Sequence, residues 1–366
     1  MKSSSRSDSG FSIIEVILLV AVLGIIGYVL WQYYNRTHQF GATTSGSIVK
    51  TDSWTGGGTT AKWSDAKNWS LGKPKNGQNI ELNTDKFTGA SDGGQLNEDI
   101  VGLKIAHLEI KGTNNPVNGV GLNLSGETLT ISAGISDEIT AAKSGVIFAN
   151  AITFADNKQT VANGTSSSVS FEGKGFDVGS SQVIFNSGAY SELGGIEVDA
   201  PISGTGTLTF SAGSTSLGTG YNGVYVSPNF TGNVNVQQGA MVTMAGDKGM
   251  GTANIVVQDG ATLNLTSVGS NTLTLANTIS LEGSGVSSAV QHGTATPAGA
   301  SLGALSACLT EGQEGCQSSA KIMLTGDSTL AGNTQLGGTG TYTFSKLDKG
   351  SYTITPVSGS SAKVAY

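Results

Sequence analysis

The chain carries two different hydrophobic patterns, one near its beginning and one over the rest of its length. From Phe11 to Trp31 almost every residue is apolar, and Glu15 is the single charged one. About 20 consecutive apolar residues cross a bilayer as a helix. Trp31 and Tyr34, at the end of the run, are typical of a membrane interface. The sequence therefore predicts a membrane helix over residues 11–36.

The second pattern begins near Ser53 and continues to the end of the chain. Short runs such as NIELN, LKIAHLEIKG and GTLTFSAG have an apolar residue at every second position, which is typical of half-buried strands. The segment at 232–244 aligns with that at 253–265, since each has two alternating runs separated by a polar-Gly turn. A repeat of about 20 residues is in the range of solenoid proteins.

Such a repeat buries its apolar side only when neighbouring repeats stack on it. We therefore expect a mainly β fold, a parallel β-helix of roughly a dozen turns at that spacing. Val, Ile and Leu would point inward, and Gly and Asn would occupy the corners. The alternative is a pair of β-sandwich domains, which would show less repeat similarity and more aromatic core residues.

These patterns divide the chain into four segments, two of them with further features. The expected segments are a leader at 1–10, a membrane helix at 11–36, a linker at 37–52, and a β-helix domain at 53–366 that contains a Trp-rich cap at 53–77 and a loop insertion with a cysteine pair at 286–320.

Composition and charge narrow the classes of function. Charged residues make up 12% of the chain, the formal net charge is −7, and 54 residues are Gly. A protein that binds nucleic acid needs a concentrated Lys/Arg patch, and the sequence has none. The Gly residues follow no period of three, so the composition does not indicate collagen. It favours many short strands joined by turns.

The segment before the membrane helix differs from an ordinary secretory signal. A secretory signal has its small-residue cleavage site after the apolar run, whereas here Gly10 comes directly before it. Glu15 lies inside the run, where a carboxylate costs about 3 kcal/mol and indicates a functional role. Gly10, Phe11 and Glu15, followed by a long aliphatic run, resemble the signal of type IV prepilins and pseudopilins.

This resemblance implies a processing site and an assembly contact. A prepilin peptidase would cut between Gly10 and Phe11, and the new amine on Phe11 would be methylated. In a filament, the Glu15 carboxylate would face the Phe11 amine of a neighbouring subunit, because two opposite charges in apolar surroundings offset their desolvation by pairing. The chain lacks the helix-breaking Pro and the small α/β head of many pilins. A plain signal anchor is the alternative.

A second resemblance covers most of residues 53–340. The segment SWTGGGTTAKWSDAKNWSLGKPKNG at 53–77 resembles the Trp-rich opening of autotransporter-type β-helix repeats. ISGTGTLTFSAG at 202–213 and NFTGNVNVQQGAMV at 229–242 resemble the autotransporter-associated strand repeat. The resemblance implies a right-handed parallel β-helix, here joined to a pilin-like anchor. The Trp residues would either cover the first turn as a cap or stack on sugars.

The two cysteines, Cys308 and Cys316, bracket a short acidic segment that interrupts the repeat. Exported proteins retain disulfides. We expect a disulfide between them, which would stabilise a small surface loop by about 2–3 kcal/mol. A metal site needs more soft ligands than two Cys and three scattered His provide.

The sequence indicates no enzyme, although β-helices include polysaccharide lyases and hydrolases. Those activities need acids at matching positions of adjacent turns, and we found no such pair. Neighbouring acids such as Glu98–Asp99 and Asp137–Glu138 would point to opposite faces of a strand. We therefore expect no catalytic residues, no metal and no cofactor.

Together these features predict a minor or tip pilin that displays a β-helix adhesin for attachment to cells or surfaces. Its partners would be the prepilin peptidase, other pilin subunits and the assembly machinery, the cytoplasmic membrane, and a surface glycan or cell-surface receptor. It would span the membrane once, N-terminus inside, before assembly, and lie on an extracellular pilus or the cell surface afterwards. The alternatives are a major pilin, a pseudopilin of a secretion system and, less favoured, a polysaccharide-active enzyme.

Overall fold

The computed structural model describes most of the predicted β domain. The described residues are 49–87, 94–113, 122–140, 144–155, 158–164, 167–188, 195–217, 229–245, 250–266, 272–286, 302–307, 321–338, 341–358, 360 and 362–365. The predicted leader and membrane helix, with Gly10, Phe11 and Glu15, lie outside them, as do Cys308 and Cys316. Within the described part, no helix is long and apolar enough to cross a membrane.

The described residues form strands and two short 3-10 helices. The helices are Ala66–Asn68 and Thr84–Lys86. The strands, in chain order, are β1 Thr51–Ser53, β2 Asn79–Asn83, β3 Gln95–Glu98, β4 Lys104–Gly112, β5 Leu122–Gly126, β6 Leu129–Ile139, β7 Ser144–Phe148, β8 Ile152–Phe154, β9 Lys158–Asn163, β10 Ser167–Phe171, β11 Phe176–Asp177, β12 Gln182–Ser187, β13 Ile196–Val198, β14 Ile202–Ser203, β15 Thr207–Leu217, β16 Asn233–Val236, β17 Ala240–Ala245, β18 Asn254–Val257, β19 Thr262–Thr266, β20 Thr272–Leu275, β21 Thr278–Gly283, β22 Leu305–Ala307, β23 Lys321–Gly338, β24 Thr341–Asp348, β25 Ile354–Pro356 and β26 Lys363–Ala365.

The strands form a parallel β-solenoid of about 9 turns, which confirms the predicted β-helix. Every pairing between these strands is parallel. A β-sandwich is built from antiparallel sheets, so that alternative is wrong for this part of the chain. Strand β22 lies within the predicted loop insertion at 286–320 and pairs with β19 and β23, so it belongs to the solenoid.

Three faces follow one another along each turn, and we name them B, A and C in chain order. Strand β23 shows all three, because it pairs with β20 on face B, with β21 on face A and with β22 on face C. Face A stacks β1, β2, the second half of β4, the second half of β6, β9, β12, the first half of β15, β16, β18, β21, the middle of β23 and the second half of β24.

The turns are longer than the predicted 20 residues. On face A, Leu108 pairs with Ile135 and Phe210 pairs with Val236, separations of 27 and 26 residues. The aligned segments 232–244 and 253–265 are a short turn, with Val236 opposite Val257, 21 residues on. Because these two segments look most alike, their spacing does not represent the other turns, each of which carries three strands and longer corners.

The core is built from inward-facing side chains stacked in register. The middle turns use Phe rather than the expected Val, Ile and Leu. Phe148 stacks on Phe171 with ring centroids 4.8 Å apart, and Phe185 stacks on Phe210 at 5.0 Å. Parallel in-register pairing places identical side chains directly above one another, so these rings meet in offset stacks.

The beginning of the solenoid is covered by buried indole rings. Trp54, Trp63 and Trp69 are 2%, 0% and 5% exposed, and each neighbouring pair meets edge to face at 5.1 Å. Trp69 Nε1 donates to the Trp63 carbonyl at 2.9 Å, and Phe87 stacks on Trp54. Buried rings offer no face to a sugar, so this geometry favours the cap over the sugar-stacking interpretation.

Gly and Asn occupy the corners for different reasons. Gly134 has φ +114°, and a Cβ there would overlap the Thr160 carbonyl of the next turn. Asn277 is buried and uses its side chain instead: its Nδ2 donates to the Met250 and Ala253 carbonyls, and its Oδ1 accepts from the Met250 N–H. Such contacts satisfy backbone groups that a corner leaves without strand partners.

Candidate functional site

The residues predicted to act in processing and filament assembly, Gly10, Phe11 and Glu15, lie outside the described residues. The predicted disulfide partners, Cys308 and Cys316, do as well. These assignments stay predictions. The structure instead describes the surface and the interior of the solenoid, where four groups of polar residues have a defined geometry.

The first group is a row of uncharged polar side chains on the outer side of face A, which we call the ladder. The strand positions at 182–187, 207–210, 233–236, 254–257 and 278–281 contain no charged residue. The ladder consists of one outward residue from each of these segments, paired in register: Gln182, Thr207, Asn233, Asn254 and Thr278.

The ladder is regular and accessible. Asn233, Asn254 and Thr278 are exposed, and Asn254 Nδ2 lies 3.5 Å from Asn233 Oδ1. Neighbouring parallel strands are about 4.8 Å apart, so hydrogen-bonding groups repeat at that interval along the solenoid axis. Beside it runs a second uncharged column, in which Val256 is 38% exposed. The alternating sequence predicted a polar outer side, and the register places the residues in a line.

The second group, a charged network, lies on the same face nearer the N-terminal end. Glu81 and Glu109 pair in register, which corrects the expectation that no adjacent turns carry matched carboxylates. Lys111 Nζ lies 2.9 Å from Glu81 Oε2 and 3.7 Å from Glu109 Oε1. Its hydrogen bond to Glu81 raises the pKa of Lys111, and burial raises the pKa of Glu109.

This network favours stability rather than chemistry. The Lys111 ammonium is shared by the two carboxylates and offsets the repulsion between them. His107, on the same strand, lies 3.0 Å from Ser136 Oγ through its Nε2, and burial lowers the pKa of its imidazole. The sequence analysis missed this network because it compared acids within apparent repeats, and turns of 28 residues were not recognised as repeats.

The third group comprises two acids inside the solenoid. Glu98 is 0% exposed, its Oε1 accepts from the Ile100 N–H at 2.7 Å, and burial raises its pKa to about 7. Asp137 is 2% exposed, its Oδ1 accepts from the Ile139 N–H at 3.1 Å, and burial raises its pKa to about 6. Neither carboxyl reaches the surface, so neither can act on an external substrate.

The neighbours of these acids point the other way, as the sequence predicted. Asp99 accepts from the N–H and Oγ of Ser64 at 2.8 and 2.7 Å, and these bonds hold its pKa below its usual range despite partial burial. Glu138 is exposed. What alternation alone did not reveal is that the inward member of each pair is fully enclosed.

The fourth group lines an open pocket of about 260 Å³ where faces A and C meet in the later turns. Its lining is polar apart from one glycine and consists of Asp259, Gly283, Ser284, Asn333, Thr334, Gln335 and Thr355. These residues come from segments that are up to 96 positions apart, Asp259 to Thr355, so the sequence gave no sign of the pocket.

Within the described ranges, no group of three or more His, Cys, Asp or Glu residues is placed to hold a metal ion. Comparison of the chain with protein-family models, with curated proteins and with solved structures found no match. The function is therefore argued from the residues and the fold.

Proposed function

We propose that this chain is a type IV pilus-like surface protein, a minor or tip pilin, whose β-solenoid is an adhesin. The observation that carries the adhesive role is the ladder: five turns present uncharged polar side chains in a straight row. The pilin role is supported by the order of Gly10, Phe11 and Glu15 before and within a long apolar run.

The ladder suits a ligand that is itself repetitive, polar and uncharged. Amide and hydroxyl groups both donate and accept hydrogen bonds, as sugar hydroxyls do. Each exchange of water for ligand contributes little, so useful affinity requires many contacts at once. A rigid parallel solenoid holds those contacts in place and lowers the entropy cost of binding.

The anchor explains how such a surface would leave the cell. Cleavage after Gly10 by a prepilin peptidase would free the amine of Phe11, which would pair with Glu15 of a neighbouring pilin subunit. The assembly machinery would then carry the solenoid out of the membrane on the end or the side of a filament. Its surface contacts would be glycans or receptors on cells or other surfaces.

The pilin role is tested by the mature N-terminus. Mass spectrometry of protein from sheared surface material should find a chain that begins at Phe11, with an added methyl group. A chain that keeps residues 1–10 and stays in the membrane fraction would contradict the proposal.

The adhesive role is tested by removing the ladder. A variant with Thr207, Asn233, Asn254 and Thr278 changed to Ala should reach the surface normally and lose most attachment of whole cells. Gln95→Ala combined with Thr205→Ala, two exposed polar positions outside the ladder, is the matched control. Unchanged attachment of the ladder variant would exclude the ladder as the contact surface.

A further inference from the structure

The pocket between faces A and C exists because two neighbouring strands differ in length at that point. Leu281 pairs with Leu330, but Gly283 pairs with Thr334, so β23 has two more residues than β21 there. Thr334 Oγ1 donates to the carbonyls of Leu281 and Gly332, both at 3.1 Å, and is 1% exposed. The bulge is therefore held by buried hydrogen bonds, and bulges of this kind often shape binding sites.

Gly283 keeps the pocket open. It has φ +81°, and a Cβ at this position would overlap Asp259 Oδ1. Asp259 Oδ1 accepts from the Ser284 N–H at 3.3 Å, which fixes the carboxylate at the edge of the cavity. A larger residue in place of the glycine would displace the carboxylate.

The polar groups in the pocket have defined directions. Asn333 Oδ1 accepts from both the N–H and the Oγ1 of Thr353 at 3.1 Å. This contact assigns the amide orientation and leaves Asn333 Nδ2 as a hydrogen-bond donor. Gln335 and Thr355 add an amide and a hydroxyl to the lining. The pocket thus combines a carboxylate acceptor with amide donors and hydroxyl groups.

We infer that this pocket binds one neutral sugar ring, with Asp259 accepting hydrogen bonds from adjacent hydroxyls and Asn333 donating to a ring substituent. A carboxylate forms stronger hydrogen bonds with hydroxyls than a neutral acceptor does, and the same charge repels sialic and uronic acids. A cavity of about 260 Å³ is smaller than the ~300–1,000 Å³ pockets of drug-sized ligands, so one ring is its capacity. The inference rests on the proposed adhesive function and names its ligand class.

Saturation-transfer NMR on the full-length chain, in a detergent without sugar groups, tests the inference directly. The probes are the methyl glycosides of glucose, galactose, mannose and N-acetylglucosamine, with N-acetylneuraminic acid as the anionic probe. At least one neutral glycoside should bind, and the anionic probe should not. No signal from any neutral glycoside, or equal binding of the anionic probe, would overturn the inference.

Two variants locate the binding. Asp259→Ala and, separately, Gln335→Ala should weaken the neutral glycoside at least tenfold and threefold, while Asn254→Ala on the ladder leaves its affinity unchanged. Circular dichroism and urea unfolding establish that each variant is folded. Binding that survives in Asp259→Ala would place the sugar elsewhere and reject the pocket.

The two proposals fail separately. Cells that bear the Asp259→Ala protein lose only the sugar-specific part of attachment, whereas the ladder variant loses attachment of every kind. If filaments do not attach at all but the purified chain binds a glycoside through Asp259, the adhesin proposal falls and the pocket stands.

Discussion

Face A presents two different surfaces on one architecture. In its earlier turns the outer side carries Glu81, Glu109 and Lys111 in a shared ion network. In its later turns the equivalent positions are uncharged and form the ladder. The inner side continues through both regions as one column of buried apolar residues, from Ile80 to Leu281. The fold therefore constrains only the inward residue of each pair, and the outward residue is free to serve a contact surface.

The largest expected effect is on the shared inner column. Phe185→Ala, in the turns that carry the ladder, should lower the free energy of unfolding by about 3–5 kcal/mol, because it removes a buried ring and leaves a cavity in the stack. Ile135→Ala, near the charged network, should cost about 2–5 kcal/mol. Urea unfolding measures both, and Phe185→Leu is the conservative control. A much smaller loss in one region would show that the column is not equally packed.

The next effect concerns the buried acid Glu98, near the charged end of the solenoid. Its pKa is about 7 in the folded chain against an ordinary value of 4.5. Because the folded state favours the proton, this group destabilises the fold fully above pH 7, and the penalty disappears as the pH falls toward 4.5. Glu98→Gln should therefore be more stable than the wild type at pH 8, and the difference should shrink at pH 5.

The comparison of the two chains isolates this group from others that titrate in the same range. His107, whose pKa is lowered by burial, destabilises both chains below its ordinary value of 6.5. Asp137, with a pKa of about 6, acts in the same direction as Glu98 and is present in both. Exposed Glu172→Gln is the control. A Glu98→Gln advantage that is constant from pH 8 to pH 5 would contradict the assignment.

A smaller effect is expected from breaking the charged network. Lys111→Met leaves Glu81 and Glu109 directly opposite each other, which should cost about 1 kcal/mol because like charges on neighbouring strands repel. The value is modest because all three side chains are partly exposed. Urea unfolding at low and high salt measures it. Adding Glu81→Gln to Lys111→Met should restore most of the loss, and failure to do so would mean that Lys111 acts through packing.

The smallest effect sharpens the contrast between the two surfaces. Asn233→Asp with Asn254→Asp places like charges in register on the ladder and should destabilise the chain by about 0.5–1 kcal/mol at low salt. Asn233→Lys with Asn254→Asp should be close to neutral. Thermal unfolding at two salt concentrations checks both. Equal behaviour of the two pairs would show that the ladder does not register charge.

The solenoid and its outward polar side were predictable because alternation along a strand and a repeat along the chain both leave marks in the sequence. The repeat 232–244 showed the stacking, and its pairing with 253–265 is in register. The turn length was not predictable from it, since corners vary in length. The pocket was invisible for a related reason: Asp259 and Asn333 become neighbours only through a register shift that no local pattern indicates.

The spacing between Leu281 and Leu330 shows how this fold accommodates added sequence. The two residues pair directly although 49 positions separate them, while the preceding turn, from Val257 to Leu281, takes 24. Loop-closure entropy rises only logarithmically, so doubling the length of a connection costs about 0.6 kcal/mol. The corners of this turn are therefore natural places to graft an epitope or a binding peptide, because the stacked strands on either side keep their register.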